Sequence, residues 1–156
     1  CECNLQAASL LNKNDHQEIK TRINHLVPNC KSYQIIKNVL NADSKGVYQG
    51  KIFVKDIAQK TDAYQLSKAL LLNDNSEFNS KPELEIYADD VKCSHGSTSG
   101  SIDETSIYYL MSRGLNREES VRLLVSGFLN EIIEMIKSNS IRKFVQKKIE
   151  EQIYGN

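Results

Sequence analysis

Cys93 and His95 stand two residues apart in the run Lys81 to Gly100, KPELEIYADDVKCSHGSTSG. In an extended chain residues i and i+2 project from one face, so this thiol and imidazole can address one metal ion or one partner surface, while Ser94 points away. Most metal centres need four donors, so the pair amounts to half a site. The rest must come from elsewhere in the chain or from another subunit, which tilts the reading towards an assembly component. Spacing alone favours a plainer alternative, a small apolar cysteine and a surface histidine beside a turn. Asp89 shares the side of Cys93 and His95 if the strand stays regular, with a surface turn carboxylate as its plainer reading, and Asp90 falls opposite. His25 reads as a satisfied strand histidine on the side of Ile23, and His16 as a loop residue. The cysteines Cys1, Cys3, Cys30 and Cys93 are too few and too irregular for a disulfide-stapled domain and read as reduced thiols. Cys1 and Cys3 lie where fraying or an artificial boundary is expected rather than ligation, and receive no functional assignment.

Composition narrows the classes. At 156 residues the chain suffices for one domain with a proper core, or a domain plus an appendage. It opens without Met, as a piece of something longer would. Its 20 basic and 20 acidic residues cancel, which removes the broad positive footprint of a nucleic-acid binder. No apolar run approaches the ~18 residues of a membrane span, and no signal peptide is visible, so a soluble intracellular protein is expected. There is no phosphate-cradling glycine loop, no Ser/His/Asp pattern, no Cys-x-x-Cys pair and no array of paired carboxylates of the kind a polysaccharide-cleaving solenoid needs. Enzymatic turnover is not indicated.

The elements that must position Cys93 and His95 change period along the chain. From about Ile19 to Tyr87 short segments alternate apolar and polar residues: Ile19 to His25, Tyr33 to Leu40, Val47 to Val54, Thr61 to Leu72 and Glu83 to Ala88. Polar turns separate them at Val27 to Asn29, Ala42 to Gly46, Asn73 to Ser76 and Asn79 to Pro82. Such a series suits a sandwich, a barrel or a β-solenoid. The solenoid is favoured by turns of mostly three to six polar residues and by uncharged polar residues inside strands, such as Gln49, Gln59, Thr61 and Gln65, that could stack between coils. No clean repeat length is visible. Leu66, Ala69 and Leu70 would equally fit a turn or two of helix.

After Ser101 the period becomes helical. Asp103 caps a first helix with Ile107, Tyr108 and Leu110 or Met111 on one face, and Gly114 follows Arg113 as a C′ residue. Asn116 caps a second, with Glu119 completing a capping-box pattern. Val121, Leu124, Val125, Phe128, Ile132 and Ile136 run down one side, widened by Leu129 and Ile133. A third helix from about Ser140 carries Ile141, Phe144, Val145 and Ile149, with little left in the chain to bury them against. Wide apolar stripes of this kind serve either a self-contained helical subdomain or a docking module. Gly127, inside the second helix, predicts a close packing partner, internal or foreign.

Taken in order, Thr21 to His25, Gly46 to Gly50, Gln59 to Ala63, Lys81 to Gly96 and Asp103 to Leu115 resemble the C-terminal portion of the SufB/SufD family, scaffold subunits of the SUF iron–sulfur cluster assembly machinery. The run KPELEIYADDVKCSHGST with Asp103-Glu104, Tyr108 to Leu110 and Ser112 to Gly114 is similar to the SufD type, since SufB-type chains carry a Glu-rich segment where Cys93-Ser94-His95 stands. The resemblance implies a mainly β fold, a right-handed parallel β-helix over residues 1–101, followed by a C-terminal α-helical docking region over 102–156. It implies a non-enzymatic scaffold pairing with a SufB-type subunit, with a transient iron–sulfur cluster shared at the interface. His95 and its neighbour Cys93 match the SufD contribution. A SufC-type ATPase would dock on the helices through Leu124, Phe128 and Ile132. The alternative is a purely architectural, ATPase-docking partner with no direct cluster ligation. The isolated piece would hold no cluster of its own and could self-associate as a homodimer through an exposed strand edge. No nucleic-acid or membrane partner is implied, and the compartment would be bacterial cytoplasm or a plastid.

Overall fold

The alternating segments form seven strands, each ten residues long, in a computed structural model that describes residues 1–154. They are β1 (Glu2–Leu11), β2 (His16–His25), β3 (Lys31–Leu40), β4 (Lys45–Val54), β5 (Asp62–Leu71), β6 (Glu77–Ile86) and β7 (Lys92–Ser101). Odd strands make one sheet in the order β1-β3-β5-β7, and even strands make another, β2-β4-β6. The four pairings with a defined register, β1 with β3, β3 with β5, β2 with β4 and β4 with β6, are all parallel. Glu2 faces Lys31, 29 residues on, and Lys31 faces Asp62, 31 on; His16 faces Lys45, 29 on, and Lys45 faces Glu77, 32 on. Each coil therefore contains two strands and two corners, and the chain climbs one strand spacing per coil. This is the expected β-solenoid, and it removes the sandwich, the barrel and the helical reading of Ala63 to Leu72.

The corners hold the register. The ladder runs through them: Lys31 N–H donates to Cys1 O, Asp62 N–H to Cys30 O and Lys92 N–H to Thr61 O, at 2.9, 3.0 and 2.8 Å. Asn29 and Lys60, equivalent residues of successive corners, both adopt left-handed backbone, at φ 58° and 60°. At the opposite corner Asn41 Nδ2 donates to Asn12 Oδ1 at 3.3 Å, a one-coil step of an asparagine ladder.

Three expectations shift. Asn79 to Pro82 lies inside β6 rather than in a turn, and Pro82 is tolerated because β6 is an edge strand whose missing N–H breaks no shared ladder. His16 opens β2 instead of sitting in a loop, and the opening residues form β1 instead of fraying.

Inward residues divide the interior into apolar ends and a polar waist. One end packs Ile52, Val54, Ala58, Ala63 and Ala88, the other Leu11, Leu40 and Ala69. Between them Gln34 Nε2 donates to Gln65 Oε1 at 3.4 Å, Gln65 Nε2 donates to Gly50 O at 3.2 Å, and buried Tyr48 meets Thr21 Oγ1 at 3.1 Å. Gly50 is required by this close approach. A Cβ there would lie 2.3 Å from Tyr48 Oη and 2.5 Å from Gln65 Nε2. His25 is the satisfied structural histidine expected, its Nε2 2.8 Å from Ser32 Oγ.

The chain divides into two compact units, Cys1–Ser99 and Gly100 onward. In the second, α1 (Glu104–Ser112), α2 (Arg117–Glu134) and α3 (Asn139–Tyr154) follow the expected signals. Asp103 accepts from Thr105 and Ser106 N–H, and Asn116 with Glu119 makes a reciprocal capping box. Gly114 takes φ 101°, the left-handed conformation that ends α1. Ile107, Val125, Leu129, Ile132 and Ile133 are buried, and α2 packs against both neighbours. Arg142 closes the end of α2 by donating to Ile136 O at 2.7 Å. Gly127 is exposed, and an added Cβ would find no atom within 4 Å among the described residues, which leaves only the foreign partner of the two expected.

Candidate functional site on the last strand

β7 ends its sheet at β5, and its phase is fixed by Ser97 Oγ, which receives a hydrogen bond from Ser67 Oγ at 2.9 Å. Ser67 is fully buried between the sheets, so Ser97 faces inward, and by alternation so do Cys93 and His95. Cys93 packs against the cluster of Ile52, Val54 and Ala63, and His95 continues the column of Gln34 and Gln65. The shared face expected from i, i+2 spacing is present. The two side chains nevertheless differ in setting.

Cys93 is half-buried, and burial pushes its thiol above the ordinary cysteine range; a backbone hydrogen bond to Ala63 opposes this weakly, and the Asp62 carboxylate adds to it. A thiol held protonated is a poor ligand until something else draws off the proton. His95 is exposed, because among the described residues no further coil covers the inward face of β7. Alternation does not place Asp89 on their face. The backbone bends at Asp89 and Asp90 before β7 starts, so strand parity does not extend to them. Asp90 instead serves the corner, its N–H donating to Gln59 Oε1 at 2.9 Å and its carbonyl accepting from Lys60 N–H. Among the described residues no group of three or more His, Cys, Asp or Glu side chains converges as a metal site.

In the helical unit, the residues expected to dock a partner are unequal. Ile132 is buried, Phe128 half-buried, and half-buried Leu124 lines an apolar cleft of about 410 Å³ with Thr105, Ser106, Tyr109, Leu110 and Leu123. Tyr109 and Leu123 are 59% and 46% exposed at its rim, enough apolar surface to receive a side chain.

The family model for the SufBD core domain of SUF-system iron–sulfur cluster assembly matches residues 1–128. The chain belongs to that family. It is 36% identical over 143 residues to the iron–sulfur cluster assembly protein SufD of Escherichia coli, covering 92% of this chain and 34% of that protein. A SufBD family protein of Synechocystis is 38% identical over 120 residues, covering 77% of this chain and 26% of its own length. The chloroplastic protein ABCI7 of Arabidopsis thaliana is 39% identical over 104 residues, 67% and 22% of the two chains. This SufBD-family chain thus spans about a third or less of those relatives. No helix among its described residues is long and apolar enough to cross a membrane.

The coil repeat went unread in the sequence of this family member, although a signal exists. SYQIIKNVL over Ser32 to Leu40 and AYQLSKALL over Ala63 to Leu71 share Tyr, Gln, Lys and Leu at a spacing of 31. The odd strands also run into Leu-Asn at Leu11-Asn12, Leu40-Asn41 and Leu72-Asn73. A search at 29 to 32 residues would have placed β1 and β7 as well.

Proposed function

We propose that this chain is part of a scaffold subunit, without catalytic turnover of its own, that pairs with a SufB-type subunit and helps hold a nascent iron–sulfur cluster as cargo. The observation that carries this reading is the exposed imidazole of His95 on the inward face of β7, the last strand of its sheet among the described residues. A neutral imidazole is a competent iron ligand in cluster chemistry. One exposed nitrogen donor cannot retain a cluster, so the partner subunit supplies the remaining ligands and the cargo stays releasable. Cys93 plays the supporting part: burial raises its pKa, so it serves as a thiol packed on the Ile52, Val54 and Ala63 cluster and would ligate only after losing its proton.

His95→Ala in the complete complex, reconstituted anaerobically with iron and sulfide, should lose most of the visible cluster absorbance, while Cys93→Ser loses less. Wild-type cluster assembly by His95→Ala would remove His95 from the ligand set. It would leave the architectural reading, which the half-buried packing of Cys93 against the Ile52, Val54 and Ala63 cluster favours.

The helical unit would dock a SufC-type ATPase through the cleft at Leu124, with Phe128 beside it and buried Ile132 keeping the α2 stripe in place. Leu124→Asp should abolish ATPase binding in a pull-down with the purified subunit and leave cluster content per scaffold unchanged.

A further inference from the structure

Cys1 and Cys30 bring their sulfurs to 3.1 Å of one another, and nothing in the proposed function uses them. The contact follows from the coil register. Glu2 faces Lys31, and the ladder continues outward as Lys31 N–H donates to Cys1 O at 2.9 Å, so the two cysteines form the next rung. Adjacent strands lie about 4.8 Å apart, inside the Cα separations that a disulfide can bridge. The partners have complementary settings. Cys1 is exposed, whereas Cys30 is 3% exposed at the corner after left-handed Asn29, and its thiol donates to Pro28 O at 3.7 Å. Cys3 is also exposed, but the residue it faces across the register is Ser32.

We propose that Cys1 and Cys30 form a reversible disulfide that staples the coil of β1 to the coil of β3 when a hydroperoxide reaches Cys1. The Cys1 thiolate attacks the outer peroxide oxygen; the O–O bond breaks, Cys1 becomes a sulfenic acid, and the departing oxygen takes up a proton as water or alcohol. The Cys30 sulfur then attacks the sulfenic sulfur. The S–S bond forms, the S–O bond breaks, and hydroxide leaves as water with the proton from Cys30. Overall two thiols give up two protons and two electrons to one peroxide, and a dithiol reductant reverses the bond by exchange. The sulfur that meets the oxidant lies against the one that resolves it, so the direct product is intramolecular. The bond closes a span of 29 residues around one full coil, which restrains β1 from peeling away from β3.

The test treats the full-length protein that contains this chain with hydrogen peroxide, blocks the remaining thiols with iodoacetamide under denaturing conditions, and maps the peptides by mass. The expected product is a Cys1–Cys30 linked peptide pair, about 2 Da lighter than the two reduced peptides together, lost on adding dithiothreitol and still formed in Cys3→Ser. In Cys30→Ser, Cys1 should accumulate as a sulfenic acid that dimedone captures. Full alkylation of both Cys1 and Cys30 after peroxide treatment, or a bond from Cys1 to Cys3 instead, would overturn the proposal. Should Cys30→Ser fail to fold, the wild-type and Cys3→Ser maps decide it alone.

Discussion

Gln65 and His95 occupy successive rungs of one inward column, yet Gln65 is fully buried and hydrogen-bonded on two sides while His95 meets solvent. The backbone treats them alike: each sits on a parallel strand of the same sheet, reached through the same kind of corner. What differs is whether another coil follows. In the middle of a solenoid a polar side chain must find partners within the stack, because an unpaired buried amide is costly. On the last strand that constraint is lifted, and a polar inward residue becomes available to whatever stacks next. The same fold thus pairs a polar side chain within its interior and leaves one exposed on its last strand.

That comparison breaks if truncation costs the same in both places. Ile52 is fully buried in the cluster that Cys93 only flanks. Ile52→Ala should destabilise the chain by about 2–5 kcal/mol by emptying a site that neighbouring coils cannot collapse into. His95→Ala should shift stability by less than about 0.5 kcal/mol, as exposed positions do. Urea midpoints for the two variants check this. Comparable losses would mean that His95 belongs to the core.

The polar waist is tested next. Gln65→Leu keeps approximate volume but strips Gly50 O of its donor and Gln34 Nε2 of its acceptor. A loss of about 1–3 kcal/mol is expected. Gln34→Leu added to Gln65→Leu should recover part of it, since Gln34 Oε1 already lacks a partner and the double change removes that amide too. Additive losses in a double-mutant cycle would show that the two glutamines stabilise their coils independently.

A smaller effect comes from His25. Burial holds its pKa below the ordinary value of 6.5, so the folded state keeps the ring neutral where the unfolded chain would protonate. The unfolded state then binds more protons, and stability, complete above about pH 6.5, falls as the pH drops below it. Urea midpoints at pH 8 and pH 5 should differ for the wild type and differ less for His25→Gln. A histidine that instead gained a proton on folding would give the opposite slope.

These contrasts also locate what could be read from sequence. Asp103, Gly114 and the Asn116–Glu119 box were legible because capping depends on residues three or four apart. Alternation marked the strands from Ile19 to Val54, since its period is also local. The coil repeat was not local: a one-coil step varies from 29 to 32 residues as corners lengthen, which blurs a fixed-period search while leaving the strand register intact. Pro82 and Asn79 misled because turn residues and edge-strand residues share a composition. The common face of Cys93 and His95 followed from parity alone. The different burial of the two side chains did not, because it depends on where the stack of coils ends.

The helical unit supplies the smallest and sharpest test. Gly in a helix interior costs about 1 kcal/mol relative to Ala, a cost usually kept where another backbone must come close. Among the described residues no such neighbour exists at Gly127, since a Cβ there would meet nothing within 4 Å. Gly127→Ala should therefore stabilise the isolated chain by about 0.5–1 kcal/mol, read as a raised urea midpoint. The same variant offered to the purified ATPase subunit separates two explanations. Weaker binding despite a more stable helix would mark Gly127 as a point of close backbone approach by the partner and extend the proposed docking surface along α2 from Leu124. Unchanged binding would confine the proposed docking face to the cleft around Leu124, leaving Gly127 as an exposed helical glycine that nothing among the described residues requires.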